Sequence, residues 1–408
     1  MNTPRSDSVS WRRLALPAYG PTLLVSTGYG AVVPLIALTA RAHGASIGMA
    51  ALVVGLVGIA QLLGDLPAGA LAARIGEKRA LIAACLLDAA ALLGAFLASS
   101  LLTLAAAVFV TGLAGAVFSL ARQSYLTEAI PPRMRARALS TLGGTFRIGS
   151  FVGPFFGALI VSQVGLGAAY GFAAAMSLAA ALLTMLLPDI TKRHERPWVD
   201  GVRRHRTVWS VLAEHQRVLL RLGTGVMLIM AARAARTSLV PLWAESQGID
   251  AATTSLIFGI SAGVDMLLFY PGGAIMDRFG RVFVAVPSMA ILGLGFVLLP
   301  LASGPLTVSL VAALMGLGNG ISAGIVMTLG ADASPAEDRA QFLGGWRLCS
   351  DLGTALGPLT ISFVTLFAPL AVAALCMASL TWLGSAWVGT WVPRYAHRPV
   401  DLARGQPD

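Results

Sequence analysis

Charge is scarce in this chain. Of its 408 residues only 12% are Asp, Glu, Lys or Arg, against about 25% in a soluble domain, and 56% are hydrophobic. With a mean hydropathy of +0.78, it lacks the polar surface that water requires, so it is an integral membrane protein. Lysine occurs only at Lys78 and Lys192, and arginine carries the positive charge. The three cysteines, Cys85, Cys349 and Cys376, fall inside apolar runs, which excludes a disulfide framework and any metal-ligand spacing. The five histidines, His43, His194, His205, His215 and His397, all lie in loops or tails. The membrane interior is therefore without the usual general base, zinc ligand or haem ligand, and an enzyme is not expected. The short alternating segments of an outer-membrane barrel are absent as well. Basic residues near the N-terminus precede an apolar run but no small-residue cleavage site follows, which reads as an uncleaved first helix.

What the chain does have is long apolar runs. Helices of about 20 residues cross a bilayer, and the pattern predicts spans at 14–40, 48–73, 80–100, 103–130, 138–163, 167–188, 218–244, 251–276, 282–302, 306–331, 340–364 and 367–392. A polar gap rich in Arg and Pro, Asp189 to Arg217, separates a six-helix half at 1–188 from a second at 218–408, and within it Val208 to Leu212 predicts a short helix on the membrane face with Trp209 at the interface. The net charge of +10 follows topology rather than nucleic-acid binding. Arg12 and Arg13, Arg74, Lys78 and Arg79, Arg133, Arg135 and Arg137, Lys192 through Arg206, Arg278 and Arg281, Arg339, Arg394 and Arg398 fall on one side, and Arg41 is nearly alone on the other. The positive-inside rule then puts both termini in the cytoplasm of a multi-pass cell-membrane protein surrounded by lipid. A monomer is expected.

The chain is also a duplicate of itself. Gly273-Ala-Ile-Met-Asp-Arg-Phe-Gly-Arg281 turns sharply between two apolar runs, and Gly69-Ala-Leu-Ala-Ala-Arg-Ile-Gly-Glu77 is its earlier copy, 204 residues away. The same offset relates Pro67 to Pro271, Pro131 and Arg135 to Pro335 and Arg339, and Gly153-Pro154 to Gly357-Pro358. One offset at separate landmarks in a hydrophobic chain marks a duplicated bundle.

The second copy resembles the loop motif of the major facilitator superfamily, a glycine and then Asp-Arg-x-Gly-Arg, between the second and third helices and again between the eighth and ninth. In the first copy Ala73 stands where Asp277 stands in the second. The fifth span contains Gly149-Ser-Phe-Val-Gly-Pro-Phe-Phe-Gly157, which resembles the fifth-helix motif of proton-coupled exporters of that superfamily through Gly149, Gly153, Pro154 and Gly157. Ala158 replaces the usual second glycine, and Val108 or a neighbour occupies the depth of the family's usual fourth-helix arginine. The resemblance implies twelve helices in two pseudo-symmetric bundles around a central path. It further implies alternating access and proton-coupled export of small amphiphilic compounds such as drugs, with a proton gradient in place of a cofactor. A carrier of an organic anion or lipid-like metabolite is the alternative, suggested by the number of interior arginines.

Ionisable residues inside spans are costly and mark function. Arg122, Arg147, Arg233, Asp265 and Asp351 lie near the midplane, Arg236 further out, and Asp65 and Asp88 towards the basic ends, within reach of water or loop arginines. Arginine does not deprotonate, so Asp265, Asp351 and Asp65 are the candidate proton carriers. Arg122, Arg233, Arg236, Tyr29 and Asn319 are expected to line the central path for substrate, since the family's fourth and seventh helices line it. In the family the fifth helix packs on the eighth and the second on the eleventh. Combined with the 204 offset, that pairs Arg147 with Asp265 across one seam and Gln61 with Asp351 across the other, as candidate gating contacts. Asp277 is expected to dock the end of the fifth span near Arg137 in the conformation closed on the cytoplasmic side.

Overall fold

The computed structural model describes residues 11–130, 134–187, 189, 208–335 and 339–395. Most of the Asp189–Arg217 gap and both tails lie outside the described residues, as do Pro131 and Arg133. The chain is helical, with no strand among the described residues. The first span is Trp11–Val32, continued through a tight turn at Val33–Leu35, around Pro34, into Ile36–Ala42. The others in the first half are Ile47–Ile75, Glu77–Phe96, Leu101–Ala129, Arg135–Val164 and Leu166–Leu186. The seventh to ninth spans are Thr224–Ser246, Ala251–Phe279 and Val282–Leu298. The tenth is broken into Gly304–Ile321 and Ile325–Ala333, and the last two are Arg339–Val364 and Leu370–Tyr395. Eleven of these twelve are long and apolar enough to cross a membrane on composition alone. The remaining one, Arg339–Val364, carries Arg347 and Asp351 and is packed between the second and seventh spans, so protein covers what lipid would reject.

The duplication is built into the local structure. Ser46 and Asp250 each cap a helix by accepting from the backbone N–H three residues on. Gly44 and Gly248, and Gly76 and Gly280, all have φ between 74° and 97°, a region that only glycine adopts freely. Gly76 and Gly280 end the second and eighth spans and start the next helix at once, which makes the joined helices antiparallel neighbours. Each pair of residues is 204 apart, as are Arg41 and Glu245, which touch each other.

Small residues decide which helices meet. Without a hydrophobic drive between helices in lipid, close backbone packing holds them. In the fifth span Gly149, Gly153 and Gly157 face Ser26, Thr27 and Ala31 of the first; a Cβ on Gly153 would lie 2.7 Å from the Ala31 nitrogen. Their counterparts Gly353 and Gly357 face Met227 and Ala231 of the seventh. These contacts lie inside each half, where the glycines of the motif form a packing groove. Between the halves, the second span packs on the eleventh and the fifth on the eighth, as the family resemblance implied. Gly58 lies against Ala355 and Gly263 against Phe151 at those seams. The short helix Val208–Glu214 forms where expected. It is anchored rather than lying free: Val211 is 0% exposed, in one apolar cluster with Phe342 and Trp346 of the eleventh span.

The groove gives a direct test. Gly153→Ala should lower stability by about 1–3 kcal/mol, because neither the Thr27 nor the Ala31 backbone can retreat without separating the first and fifth spans. Gly143→Ala, where a side chain meets open space, should be neutral. Thermal unfolding in detergent compares them, and equal melting temperatures for both variants would refute the groove.

Candidate functional site

The two seams between the halves carry most of the interior charge. Across the fifth–eighth seam Arg147 Nη1 donates to Asp265 Oδ1 at 2.5 Å, and Asn319 Nδ2 of the tenth span donates to Asp265 Oδ2 at 2.6 Å. The two charged side chains are 18% and 14% exposed, and the Arg147 guanidinium also lies over the Phe269 ring, 4.8 Å from its centroid. The Arg147–Asp265 contact, expected from the family's helix packing together with the duplication, is present. Arg233 turns to the tenth span, donating to the Ser322 carbonyl and hydroxyl at 2.6 and 2.8 Å, while Arg236 donates to Ser261 Oγ at 3.0 Å. Arg233, Arg236 and Asn319 are thus fixed by the second half's own polar groups rather than pointing freely into a path. Ser322, Ser261 and Ser288, which bonds Ser322 at 2.6 Å, carried no signal in the sequence because isolated serines are common in membrane helices.

The other seam departs from expectation. Gln61 does not bond Asp351; its side chain lines a cavity within the first half. Arg347 reaches across instead, and its Nε donates to Asp65 Oδ2 at 2.9 Å. Asp351, one turn further along the eleventh span, is 3.7 Å from the same nitrogen. Asp65 was expected to reach water or loop arginines, yet its side chain is 7% exposed. Arg347 lies closer to the carboxylate on the facing helix than to its own i+4 neighbour. Two carboxylates therefore share one guanidinium. Asp351 Oδ2 and Asp65 Oδ1 are buried without a hydrogen-bond partner among the described residues.

Arg122 and Tyr29 line a cavity of about 180 Å³ among the first, third and fourth spans. Arg122 Nη1 is buried and unpartnered, and the guanidinium sits 5.5 and 5.4 Å from the Phe118 and Phe146 rings. Asp88 also lines this cavity at mid-helix, accepting from Ser177 Oγ at 2.6 Å, so it neither reaches the basic end nor meets a loop arginine.

The ends of the bundle differ. At the end opposite the basic loops, Arg41 Nε donates to both Glu245 oxygens, at 3.1 and 3.0 Å, and a Cβ on Gly48 would lie 3.0 Å from the Ser362 carbonyl. The first and seventh spans meet there, through residues 33–42. At the basic end Gly143, Gly144 and Gly344 face open space. Asp277 is exposed and makes no ion pair with Arg137, which is exposed too; the described ion pair of this loop joins Arg281 to Asp332 at 2.8 Å. The Asp277 docking belongs to the conformation closed at the basic end, and here the basic ends stand apart, with the halves closed on each other at the far end.

Helices in two duplicated bundles, joined by charged seams around an interior open at one end, define a membrane transporter rather than an enzyme. The model of the Major Facilitator Superfamily matches residues 22–358, and the chain belongs to that family. It is 28% identical over 346 residues to the multidrug resistance protein MdtH of Edwardsiella ictaluri, covering 82% of each chain. It is 20% identical over 345 residues to an uncharacterized MFS-type transporter of Methanocaldococcus jannaschii, covering 84% of this chain and 89% of that one. Among solved structures, a POT family transporter with a thioalcohol-conjugated peptide superposes with a TM-score of 0.78 at 11% identity, covering 95% and 97% of the chains. A D-xylose-proton symporter gives 0.72 at 14%, covering 92% and 96%. At such identities the structures speak for the fold alone.

Two variants separate strong contacts from weak ones. Removing one partner of a buried ion pair leaves a charge uncompensated at a cost of about 3–5 kcal/mol, whereas removing both is far milder. Arg147→Leu should therefore destabilise strongly, and adding Asp265→Leu should restore most of the loss in a double-mutant cycle read by thermal unfolding. Additive losses would show that the pair does not couple the halves. Arg41 and Glu245 are 33% and 34% exposed, so their pair is worth about 0–1 kcal/mol. Glu245→Gln should shift the closed far end by up to about fivefold. Labelling of Ala37→Cys, buried at that end, from the far side in a background without the native cysteines should accelerate accordingly; an unchanged rate would dismiss the latch.

Proposed function

We propose that this chain exports small amphiphilic compounds in exchange for protons, by alternating access, with the basic loops and both termini in the cytoplasm. The observation that carries the coupling is the second–eleventh seam, where Asp65 and Asp351 flank a single Arg347. With both carboxylates ionised the site holds one negative charge too many for a dry interior. One proton satisfies it, and so does rearrangement that admits water. Occupancy by a proton is thereby tied to whether the seam is closed. The fifth–eighth seam is built differently: both Asp265 oxygens accept from donors, one of them the Arg147 guanidinium, so the single carboxylate is compensated one for one and this pair serves as a lock on which the halves rock. Asp351 and Asp65 are the better proton carriers. Export is supported by the fifth-span motif and by the multidrug resistance relatives, and the opening at the basic end is the loading state of an exporter.

A second reading, carriage of an organic anion, is favoured by one specific observation: Arg122 presents a buried guanidinium nitrogen with no acceptor. Purified protein in proteoliposomes, with labelled lipophilic cations, neutral compounds and anions, separates the two. Proton-coupled export requires that an imposed pH gradient drive accumulation. Asp351→Asn should abolish the gradient dependence while substrate exchange continues, and Asp265→Asn should retain it. Accumulation indifferent to the gradient would end the coupling proposal, and a marked preference for anions would put the second reading first.

A further inference from the structure

The first half contains a space that the second half has filled. The cavity of about 180 Å³, room for on the order of ten waters, has apolar and aromatic walls, including Val32, Leu92, Val108 and Tyr170. Its polar groups sit at two places. Deep inside is Asp88, with Ser177 Oγ donating to Oδ2 at 2.6 Å and the Thr111 side chain beside it. Among the described residues no basic side chain pairs with this carboxylate. Nearer the basic end is Arg122, whose Nη1 has no acceptor. Arg122 follows Thr111 by eleven residues on one helix, so the two places are about 16 Å apart along the fourth span.

The duplication supplies an internal control. The register holds here: Gly112 packs on Val57, and Gly316 packs on Ser261, in each case 204 residues later. By the same offset Asp88 corresponds to Leu292 and Thr111 to Met315, which are 3% and 0% exposed and belong to a closed apolar core with Phe296. Arg122 corresponds to Val326. The fold therefore does not need an opening at this place, and it packs better without one. A carboxylate placed in a membrane interior with only hydroxyls for company is costly, and a leucine with methionine would remove that cost. What the polar version offers instead is complementarity to a ligand. A carboxylate lacking a cation suits a protonated amine, while Tyr29, Phe118 and Phe146 gather at the Arg122 end and continue the apolar wall along the middle of the ligand. A guanidinium lacking an acceptor suits a carboxylate or carbonyl oxygen.

Resting on the reading of this chain as a carrier of small amphiphiles, we propose that the cavity of the first half is a substrate site for elongated molecules. These have an amine at the Asp88 end, an apolar middle, and an acceptor oxygen at the Arg122 end. The competing use of Asp88, as a carrier of a bare proton, makes a different prediction in the same experiment.

Equilibrium binding to the full-length protein in nanodiscs, at one pH and without a gradient, compares ω-aminododecanoate, dodecylamine and dodecanoate. The double-ended probe should bind tightest. Asp88→Asn should weaken the two amine probes about ten- to a hundredfold and leave dodecanoate within about twofold, while Arg122→Gln should weaken the two carboxylate probes and spare dodecylamine. The Asp88→Leu, Thr111→Met double variant, which copies the second half, should melt no lower than the native protein and bind none of the three; should it fail to fold, the two single variants carry the test. Equal binding of all probes would overturn the proposal. So would folded Asp88→Asn protein that binds every probe normally, including the case in which it loses only pH-driven transport. Because binding is read without a gradient, a transporter that ignores pH but keeps this binding pattern refutes proton coupling alone, and one that is proton-coupled without the pattern refutes this site alone.

Discussion

Arginines buried between helices set the conditions for the rest of this molecule. A guanidinium stays charged at bilayer depth, so each one needs acceptors from the protein, from water or from a ligand. Arg147 finds Asp265 on the eighth span, Arg347 finds Asp65 on the second, and Arg233 finds Ser322 on the tenth. In the first two cases the acceptor belongs to the other half. The contacts that hold the halves together are thus electrostatic at mid-depth and made of small residues around it. The one ion pair described at the far end of the first and seventh spans, Arg41 with Glu245, is half in water and correspondingly weak. A strong pivot with a weak latch is a distribution of energy that permits rocking without separation.

The two halves share their scaffold and differ in their chemistry. Helix caps, left-handed glycine turns and packing grooves recur at one offset because backbone geometry tolerates few alternatives. The interior side chains do not recur: Tyr29 corresponds to Arg233, Gln61 to Asp265, Arg147 to Asp351 and Asp88 to Leu292. In the proposed alternating-access cycle, symmetric packing lets the same rigid motion open either end. Asymmetric interior groups mean that the two ends of that motion do not meet the same charges, and this is the requirement for a ligand or proton to bias it. The cavity with Asp88 on one side and the closed core around Leu292 on the other are the clearest instance.

Much of the fold was legible in the residues. Charge scarcity, apolar runs of helical length and the 204-residue offset determined a duplicated helical membrane bundle, and the motifs resembling the major facilitator superfamily assigned the order of its contacts. The Arg147–Asp265 contact followed from that order. The Arg41–Glu245 contact could have followed too: residues related by the duplication that lie near its symmetry axis must approach each other, and their opposite charges were a signal that went unused.

What the chain determined alone is whatever depends on hydrophobicity and on backbone geometry, because both are local: a run of apolar residues must be a span in lipid, and a left-handed turn must be glycine. What only the tertiary structure decided is which long side chain reaches which partner. Arg347 chose Asp65 over Asp351, Gln61 turned into the first half, Asp277 remained in solvent, and Asp88 met Ser177 rather than a loop arginine. These choices turn on a few ångströms of reach and on whether the halves are closed at one end or the other. Spacing along a helix fixes the face a residue occupies, but the rotation and tilt of the facing helix, set by packing over the whole bundle, fix what that face meets.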